Sequence, residues 1–419
     1  MNSKPKIIIF SQVYPFPLIS GQNQRIANTL NGLKEYGFHI TFFTVGRKEE
    51  IERIKDKLKE LCDEVILLES KYLKNLFTKW SHKIIGIFYT LVTGNKFSNY
   101  LISNVELTPN RVEEHLKNNK YDFALFEYWH THKLVPLLRN KNIPCVIDIH
   151  NILWRNWEFY LNLRAKLPNR WEPMLPGFIK RKMVKQYRLN ELNAYLKYDC
   201  LITLGAEEVD YLSAQGIANH KLLKMPMGIS LDKWNYCWSC NDESKKIVYY
   251  GGLNNPYNVK DVLFLYHQFM PKIWSEFENA ELWLVGSNPT QEVRKLTQNP
   301  KVTVTGFVDD LSDVLKDKHI MVMPFSGASG FRSRLIEVMA LGLPILTSKE
   351  VVKQMDIKEH DKFLLAKDNQ QLSVLALKLL NDEKILMDQS LSGRKFVEQQ
   401  YSFDATYGTL SDHLLKMRK

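Results

Sequence analysis

The sequence is poor in cysteine, in long apolar runs and in acidic residues. Five cysteines in 419 residues are too few for a disulfide framework, and Cys237-x-x-Cys240 has no second pair at the spacing of zinc ligands. We therefore expect chance placement of this pair and no metal site. No run approaches the roughly 20 apolar residues that cross a bilayer, and the N-terminal apolar run is too short for a signal peptide. These absences predict a cytoplasmic protein.

The shortage of acids leaves a formal net charge of +11, from 57 basic and 46 acidic residues. Such a charge predicts an anionic partner. It is concentrated in two stretches, 71–96 and 164–188, and the first alternates lysines with bulky aromatic side chains. This pattern suits a helix on an anionic membrane surface, although an ordinary amphipathic helix with its aromatics in the core is the favoured interpretation. No recognised nucleic-acid module appears, so we expect no nucleic-acid partner.

A succession of strand, loop and helix signals near residue 330 is the most informative stretch that the sequence does contain. The apolar run 320–323 predicts a buried strand, 326–330 a small glycine loop, and 331–341 a helix. A helix N-terminus behind a glycine loop suits an anion, because its unpaired N–H groups and its dipole favour negative charge. Arg332 and Arg334 in the first turn oppose that dipole. They indicate either a strongly anionic ligand, such as a diphosphate, or a solvated basic helix start.

Alternating strand and helix signals run through the whole chain and restart after its middle. They predict two α/β domains, 1–235 and 247–400, joined by a linker at 236–246, with a C-terminal helix at 401–419 that packs back on the first domain. Glycines and polar residues follow the predicted strands, where the carboxyl ends of a parallel sheet face a ligand crevice. The strands are predicted at 6–10, 39–45, 65–68, 121–127, 144–149, 199–204, 222–225, 246–250, 282–286, 302–307 and 320–323.

These motifs, in this order and spacing, resemble glycosyltransferase family 4, the retaining, nucleotide-sugar-dependent enzymes of the GT-B fold. The best match is the helix start Gly330-x-Arg332-x-Arg334, followed by Glu337, which is similar to a subset of the family with a GxRxK/R-type helix before a ribose-binding glutamate. Weaker matches lie at Tyr14-Pro15, Gly21 and Arg25, and at 249–253, 284–286 and 304–310. Another lies at 225–230, where Met227 and Ser230 replace the Asn and Asp of the family's PNGVD segment.

The resemblance implies two Rossmann-like, doubly wound parallel-sheet domains that face a central cleft. It also implies transfer of a sugar, with retention of configuration, from a nucleoside diphosphate-sugar to a saccharide or lipid-linked saccharide. No cofactor and no metal are required, because cationic side chains and helix amides neutralise the diphosphate, and the sequence has no DxD triplet. A lipid-linked acceptor would place the protein peripherally at the inner face of the cell membrane.

Roles for individual residues follow from the resemblance. Glu337 matches the glutamate that binds the ribose hydroxyls, with an ordinary carboxylate on the helix surface as the alternative. His150, at a strand end, matches a position near the reacting sugar and the acceptor, and Arg332 would stabilise the leaving diphosphate; these two are the catalytic candidates. Asp309 and Asp310 are expected to be helix caps. The predicted donor-binding residues are Gly21, Gly251, Gly252, Gly327, Ser329, Gly330, Arg332, Arg334 and Glu337; weaker acceptor-side candidates are Glu127, His130 and His132.

Two positions depart from the family pattern. Ser329 stands where many members have a glutamate that contacts the donor sugar, and Gly252 stands where an arginine is usual. The lysine that is paired with that arginine has no certain match, Lys260 being the nearest candidate. These departures leave two alternatives open. One is a non-catalytic binding subunit, and the other is a nucleotide-sugar epimerase of the same fold, which needs two carboxylates as acid and base.

Overall fold

The computed structural model describes residues 4–18, 20–117, 119–162, 174–239, 244–325, 332–355, 357 and 363–418. The chain divides into two compact units. The first unit comprises Met1–Pro226 together with Tyr407–Lys419, and the second unit comprises Met227–Thr406.

A seven-stranded parallel sheet forms the centre of the first unit. Its strands are β1 (Lys6–Phe10), β2 (His39–Gly46), β3 (Glu64–Glu69), β4 (Phe123–Glu127), β5 (Cys145–Asp148), β6 (Cys200–Thr203) and β7 (Leu222–Lys224). The order is β3-β2-β1-β4-β5-β6-β7, so the direction of winding reverses between β1 and β4. Continuous apolar runs such as Ile7, Ile8 and Ile9 are fully buried, as expected where helices cover both faces of a parallel sheet.

Two helices of the first unit begin at side-chain caps. Ser20 accepts a hydrogen bond from the backbone N–H of Asn23 at the start of α1, and Asn75 does the same for Thr78 at the start of α3. A 3₁₀-helix at Trp129–Leu134 follows β4. The helices are α1 (Gly21–Glu35), α2 (Lys48–Leu61), α3 (Leu76–Thr93), α4 (Phe97–Tyr100), α5 (Pro109–Leu116), α6 (Val135–Arg139), α7 (Leu153–Leu161), α8 (Gly177–Tyr195) and α9 (Ala206–Ala214).

A six-stranded parallel sheet forms the centre of the second unit. Its strands are β8 (Lys246–Tyr250), β9 (Glu281–Val285), β10 (Val302–Gly306), β11 (Ile320–Met323), β12 (Ile345–Ser348) and β13 (Leu365–Ala366). The order is β10-β9-β8-β11-β12-β13, so the winding reverses between β8 and β11. The two-residue strand β13 was not predicted, because two residues carry no periodic signal.

The helices of the second unit surround this sheet. The first of them begins at Pro256, because the Asn255 side chain caps it and proline suits the first position of a helix. Across both units, none of the described helices has the length and apolar composition needed to cross a membrane. The helices are α10 (Pro256–Phe264), α11 (Met270–Trp274), α12 (Gln291–Lys295), α13 (Leu311–Leu315), α14 (Ser333–Ala340), α15 (Gln371–Leu380) and α16 (Glu383–Tyr401).

The C-terminal segment is helical over most of the predicted range 401–419, with a π-helical part at Asp404–Gly408, and a break at Ser402 separates it from α16. Helix α16 ends at Tyr401, and Ser402 adopts an extended backbone with its hydroxyl accepting a hydrogen bond from the N–H of Ala405. A second helix, α17 (Thr409–Met417), follows. The break is local, because an extended residue cannot continue the helical hydrogen-bond ladder.

Residues of the predicted linker 236–246 pack in the second unit. The backbone N–H groups of Cys237 and Trp238 both donate to the carbonyl of Leu341, at 3.1 and 3.0 Å. The Trp238 indole donates to the carbonyl of Lys318 at 2.7 Å. The low hydrophobicity of the stretch therefore did not indicate that it contains a buried tryptophan. Cys240 lies outside the described residues.

The favoured interpretation of the basic aromatic stretch 71–96 was wrong. Helix α3 does not place its aromatics in the core, because Phe77, Trp80 and Phe88 are all more than 60% exposed. The residues of α3 that are buried are Gly86 and Thr90. Small residues face the protein and large apolar residues face outward, which reverses the usual arrangement of a surface helix.

We predict that Gly32→Ala destabilises the first unit by about 1–3 kcal/mol. A Cβ at Gly32 would lie 2.3 Å from the ring of Tyr407, so the C-terminal segment would have to shift. Gly21→Ala in the same helix is the control, since a Cβ there meets no atom within 4 Å. Urea unfolding of both variants measures the difference; equal midpoints would contradict this packing of the segment.

Candidate functional site

In the second unit, the predicted donor-binding loops follow the two strands where the winding reverses. Gly251 and Gly252 come directly after β8, and Pro324 and Phe325 come directly after the neighbouring strand β11. Ligand crevices in open α/β sheets form at such switch points. The predicted residues Gly327, Ser329 and Gly330 lie outside the described residues.

Arg334 connects helix α14 to the loop after β8. Its guanidinium donates to the carbonyl of Tyr250 at 2.7 Å and to the Asn258 side-chain oxygen at 3.1 Å. It also lies over the ring of Tyr249, at 5.5 Å from the centroid. A Cβ at Gly251 would come within 1.7 Å of this guanidinium, so the close approach requires glycine. Arg334 therefore positions the loop.

Glu337 lies one turn further along α14 and is buried, with 5% of its surface exposed. Its carboxylate interacts with the hydroxyl of Tyr250 at the end of β8. Burial, and then the negative charge of Glu337, raise the pKa of Tyr250, which stays a neutral donor. The alternative interpretation of Glu337 as an ordinary carboxylate on the helix surface is therefore wrong.

Arg332 lies at the start of α14 and is partly buried. Burial, followed by repulsion from Arg334, lowers its pKa, while the charge of Asp261 opposes this shift. Asp261 accepts a hydrogen bond from the Tyr249 hydroxyl at 3.1 Å. Two nearby cations with reduced hydration favour an anionic ligand, since an anion would relieve their repulsion.

The remaining predicted glycines are less constrained. A Cβ at Gly252 would have its nearest neighbour at 3.5 Å, and Gly21 has open space around it as the first residue of α1. The backbone therefore does not demand glycine at either position. Asp310 caps α13 by accepting from the N–H of Ser312 at 2.9 Å, so its predicted role as a cap is confirmed.

In the first unit, His150 belongs to a buried network of charged groups at the ends of β4 and β5. Its Nε2 lies 2.5 Å from a carboxylate oxygen of Glu127. Asp148, opposite Glu127 in the strand pairing, accepts from Arg25 at 2.6 Å. Arg25 also donates to the carbonyl of Met225 at 3.2 Å. Parallel register brings the two carboxylates side by side, which sequence reasoning had missed.

The two carboxylates of this network have opposite pKa shifts. Burial raises the pKa of Glu127, and the opposing effects of His150 and Arg25 do not cancel it. Burial also acts on Asp148, but the ion pair with Arg25 and the influence of His150 outweigh it and lower its pKa. The network thus gives Glu127 a higher proton affinity than Asp148.

The backbone at this network is strained. Tyr128 and His150 have φ angles of 70° and 54°, in the region that favours glycine. Their rings stack at 4.3 Å with an interplanar angle of 15°. Such conformations each cost on the order of 1–3 kcal/mol and concentrate at functional sites, so the strain supports a functional role for His150.

Three of these side chains are close enough together to coordinate one metal ion, because ligand atoms of Glu127, Asp148 and His150 lie within 4.8 Å of one another. However, Asp148 is neutralised by Arg25, and His150 Nε2 is hydrogen-bonded to Glu127. The donor atoms that a metal would need are therefore engaged with each other and with a guanidinium. This arrangement favours an internal network, and the absence of a metal requirement stays a prediction.

His130 and His132 do not join the network in the same way. His130 is buried and its Nδ1 lies 3.1 Å from the side-chain nitrogen of Gln12. Burial, followed by nearby lysines, lowers the pKa of His130 to about 3 and that of His132 to about 4. His132 lines a cavity of about 170 Å³ together with Lys133 and Lys197. Both histidines are neutral at physiological pH.

A basic cavity of about 820 Å³ in the first unit was not predicted. Six cations and three acids line it, so its formal charge is positive. Five of the cations come from the segments after β2 and β3, which become neighbours because these strands pair. The sixth, Arg111, comes from α5. The charged lining residues are Arg47, Lys48, Glu49, Glu50, Arg53, Glu69, Lys71, Lys74 and Arg111.

Comparisons with known proteins agree with this fold. Residues 244–382 match a family model described as Glycosyl transferases group 1. No curated protein matches the sequence at a significant level. A sucrose-phosphate synthase from Thermosynechococcus elongatus is similar in structure, with a TM-score of 0.65 and 17% identity over 99% of both chains.

Two further solved structures resemble the chain. HepE of Anabaena, in complex with UDP, has a TM-score of 0.63 at 10% identity and covers 98% of this chain and 100% of its own; another structure of HepE contains UDP-glucose. WaaG, a glycosyltransferase involved in lipopolysaccharide biosynthesis, has a TM-score of 0.59 at 14% identity, covering 97% and 99%. The predicted fold class, two Rossmann-like parallel-sheet domains of the GT-B type, is confirmed.

We predict that the contribution of His130 and His132 to the unfolding free energy falls as the pH drops from about 6.5 towards 4. His130 and His132 have folded-state pKa values below the ordinary value of 6.5, so the unfolded chain takes up protons that the folded chain does not. Their stabilising contribution is complete above the unfolded pKa and is lost as the pH falls. His130→Asn should reduce the slope of the unfolding free energy against pH by at most about 1.4 kcal/mol per pH unit. Denaturant titrations of the parent and of His130→Asn across this pH range test the prediction. Parallel profiles of unfolding free energy against pH for the two proteins would contradict it.

Proposed function

We propose that this protein is a glycosyltransferase that moves a sugar from a nucleoside diphosphate-sugar to a saccharide or lipid-linked saccharide, with retention of configuration. The observation that carries the proposal is the buried Glu337 carboxylate, which interacts with Tyr250 next to the Gly251 loop at the switch point of the second sheet. It lies within the region that matches the glycosyltransferase family model. The placement in family 4 remains part of this proposal.

In the proposed donor site, the carboxylate of Glu337 accepts from both ribose hydroxyls of the nucleotide. The hydroxyl of Tyr250 interacts with that carboxylate. The diphosphate lies beside Arg332 at the start of α14. HepE binds UDP and UDP-glucose, so uridine nucleotides are the first donors to test.

Catalysis in this proposal consists of positioning and of stabilising the leaving diphosphate. Arg332 supplies a cation of reduced hydration, which interacts more strongly with developing negative charge than a solvated one does. A donor phosphate oxygen accepts the acceptor's proton, and no metal or other cofactor is required. His150, with Glu127 fixing its ring, orients the acceptor in the first unit. Nuclear magnetic resonance of the product tests retention from its anomeric configuration.

The acceptor is proposed to be a saccharide or a lipid-linked saccharide. The basic cavity after β2 and β3 suits an acceptor with a charged linkage. WaaG acts in lipopolysaccharide biosynthesis, which makes a polysaccharide or glycolipid acceptor the first to test here. A lipid-linked acceptor would bring the protein to the inner face of the cell membrane.

An epimerase of the same fold is a second candidate, because Glu127 and Asp148 form a carboxylate pair. Yet Asp148 is neutralised by Arg25 and Glu127 is hydrogen-bonded to His150. Two carboxylates that are already bonded to internal partners are poorly suited to remove a proton from a sugar and return one to it. Ser329 and Gly252 keep a non-catalytic binding subunit as the other alternative.

We predict that Glu337→Ala abolishes the stabilisation of the protein by nucleoside diphosphates. A ligand that binds the native state raises the melting temperature by mass action, and loss of the ribose contact should weaken binding by about a hundredfold. A thermal-shift screen with UDP, GDP, dTDP and ADP, without added metal, makes the measurement.

Glu276→Ala, which changes an exposed glutamate of the same unit, is the control for the nucleotide screen. Glu337→Gln keeps the size of the side chain and removes its charge. The melting temperature of each variant without ligand reports any effect on folding. If Glu337→Ala responds to nucleotides as the parent does, the site assignment is wrong. A flat response of the parent to every nucleotide would favour the non-catalytic alternative.

We predict that Glu127→Gln lowers kcat by about ten- to a hundredfold and leaves the KM for the donor unchanged. The amide keeps the size of the side chain but loses the charge that pairs with His150. Glu127 is a positioning residue, so its effect should vanish in a His150→Ala background. Steady-state kinetics of the single and double variants test this, and fully additive effects would contradict it.

A further inference from the structure

We propose that helix α3 lies in the headgroup region of an anionic lipid bilayer and holds the protein on that surface. The proposal goes beyond the transfer reaction and does not depend on turnover. It starts from an apolar helix face that no described part of the first unit covers.

The outward face of α3 is continuous and apolar. At about 100° of rotation per residue, its large side chains fill one half of the helix circumference. Their exposed fractions lie between 40% and 80%. These side chains are Leu76, Phe77, Trp80, Ile84, Ile85, Phe88, Leu91 and Val92.

The inward face of α3 is built from small and polar residues. Gly86 lies against Phe97 so closely that an added Cβ would come within 2.0 Å of its ring. Thr90 is fully buried and bonds to the carbonyl of Gly86. His82 pairs with the hydroxyl of Tyr100 at 3.0 Å. This specific packing fixes the rotation of α3, so the exposure of its bulky residues is a property of the fold.

The charge around α3 has one sign. No Asp or Glu occurs between Glu69 and Glu106, and the lysines at 71, 74, 79 and 83 are all exposed. On a helical projection Lys79 and Lys83 both lie beyond one edge of the apolar half. An apolar face bordered by lysines is the pattern of a helix that lies flat in a membrane interface.

Helix α8, which carries the second basic stretch, packs alongside the C-terminal end of α3. A Cβ at Gly94, the C-cap of α3, would lie 2.9 Å from the carbonyl of Met183 in α8. The exposed residues of α8 include Phe178, Arg181, Lys182 and Lys185. The two basic stretches identified in the sequence therefore adjoin, and both add positive charge to this side of the unit.

The charges favour a membrane over a second copy of this chain. A symmetric dimer through α3 would bring two sets of lysines together without any acid between Glu69 and Glu106 to compensate them. An anionic bilayer neutralises the lysines and also buries the apolar half. Lys71 and Lys74, just before α3, line the basic cavity, so the membrane surface would lie next to a cavity suited to an anionic headgroup.

Vesicle co-sedimentation of the full-length protein tests the proposal. We expect binding to phosphatidylcholine vesicles that contain about 30% phosphatidylglycerol, and at least tenfold weaker binding to phosphatidylcholine alone. Phe77→Ser/Trp80→Ser/Phe88→Ser should abolish binding, since these side chains supply the buried apolar surface. Lys74→Ala/Lys79→Ala/Lys83→Ala should weaken it by about a hundredfold at low salt.

Val374→Ser/Leu391→Ser, which removes two exposed apolar side chains of the second unit, is the matched control and should bind as the parent does. Melting temperatures of all variants verify folding. A parent that stays in the supernatant with every vesicle, or a serine variant that binds like the parent, would overturn the proposal. A dimer that the serine variant dissociates, with no vesicle binding by the parent, would identify a second copy as the occupant instead. Because no nucleotide is present, the outcome is independent of donor binding.

Discussion

The candidate donor site depends on the hydrogen bond from the Arg334 guanidinium to the carbonyl of Tyr250. It attaches the first turn of α14 to the loop after β8, and Gly251 makes the approach possible because any side chain there would collide with the guanidinium. The bond fixes both the loop and the rotation of α14. Glu337, one turn later, is thereby brought to the hydroxyl of Tyr250.

A similar principle organises the first unit with different groups. The parallel pairing of β4 and β5 forces Glu127 and Asp148 side by side in a buried position. Two adjacent buried carboxylates are unfavourable unless they are compensated, and Arg25 and His150 supply that compensation. Strained backbone at Tyr128 and His150 accompanies the network. In both units, the register of the strands places polar groups at one edge of the sheet, and one arginine then fixes their arrangement.

The sequence predicted the parts of this structure that local patterns determine. Apolar runs located the strands, and the glycine and arginine signals near residue 330 located the start of α14 and the buried Glu337. It did not reveal the Glu127–Asp148 pair or the basic cavity, because both join segments that only strand pairing brings together. It also assigned the aromatics of α3 to the core. Periodicity identifies an amphipathic helix but does not tell which face turns inward, and here the small residues Gly86 and Thr90 decide it.

The most direct test of the proposed function is a crystal structure of the protein with bound UDP. The account predicts the ribose hydroxyls at hydrogen-bond distance, about 2.5–3.0 Å, from the carboxylate of Glu337. It also predicts the diphosphate beside Arg332. A nucleotide bound elsewhere, or a ribose directed away from Glu337, would contradict the account.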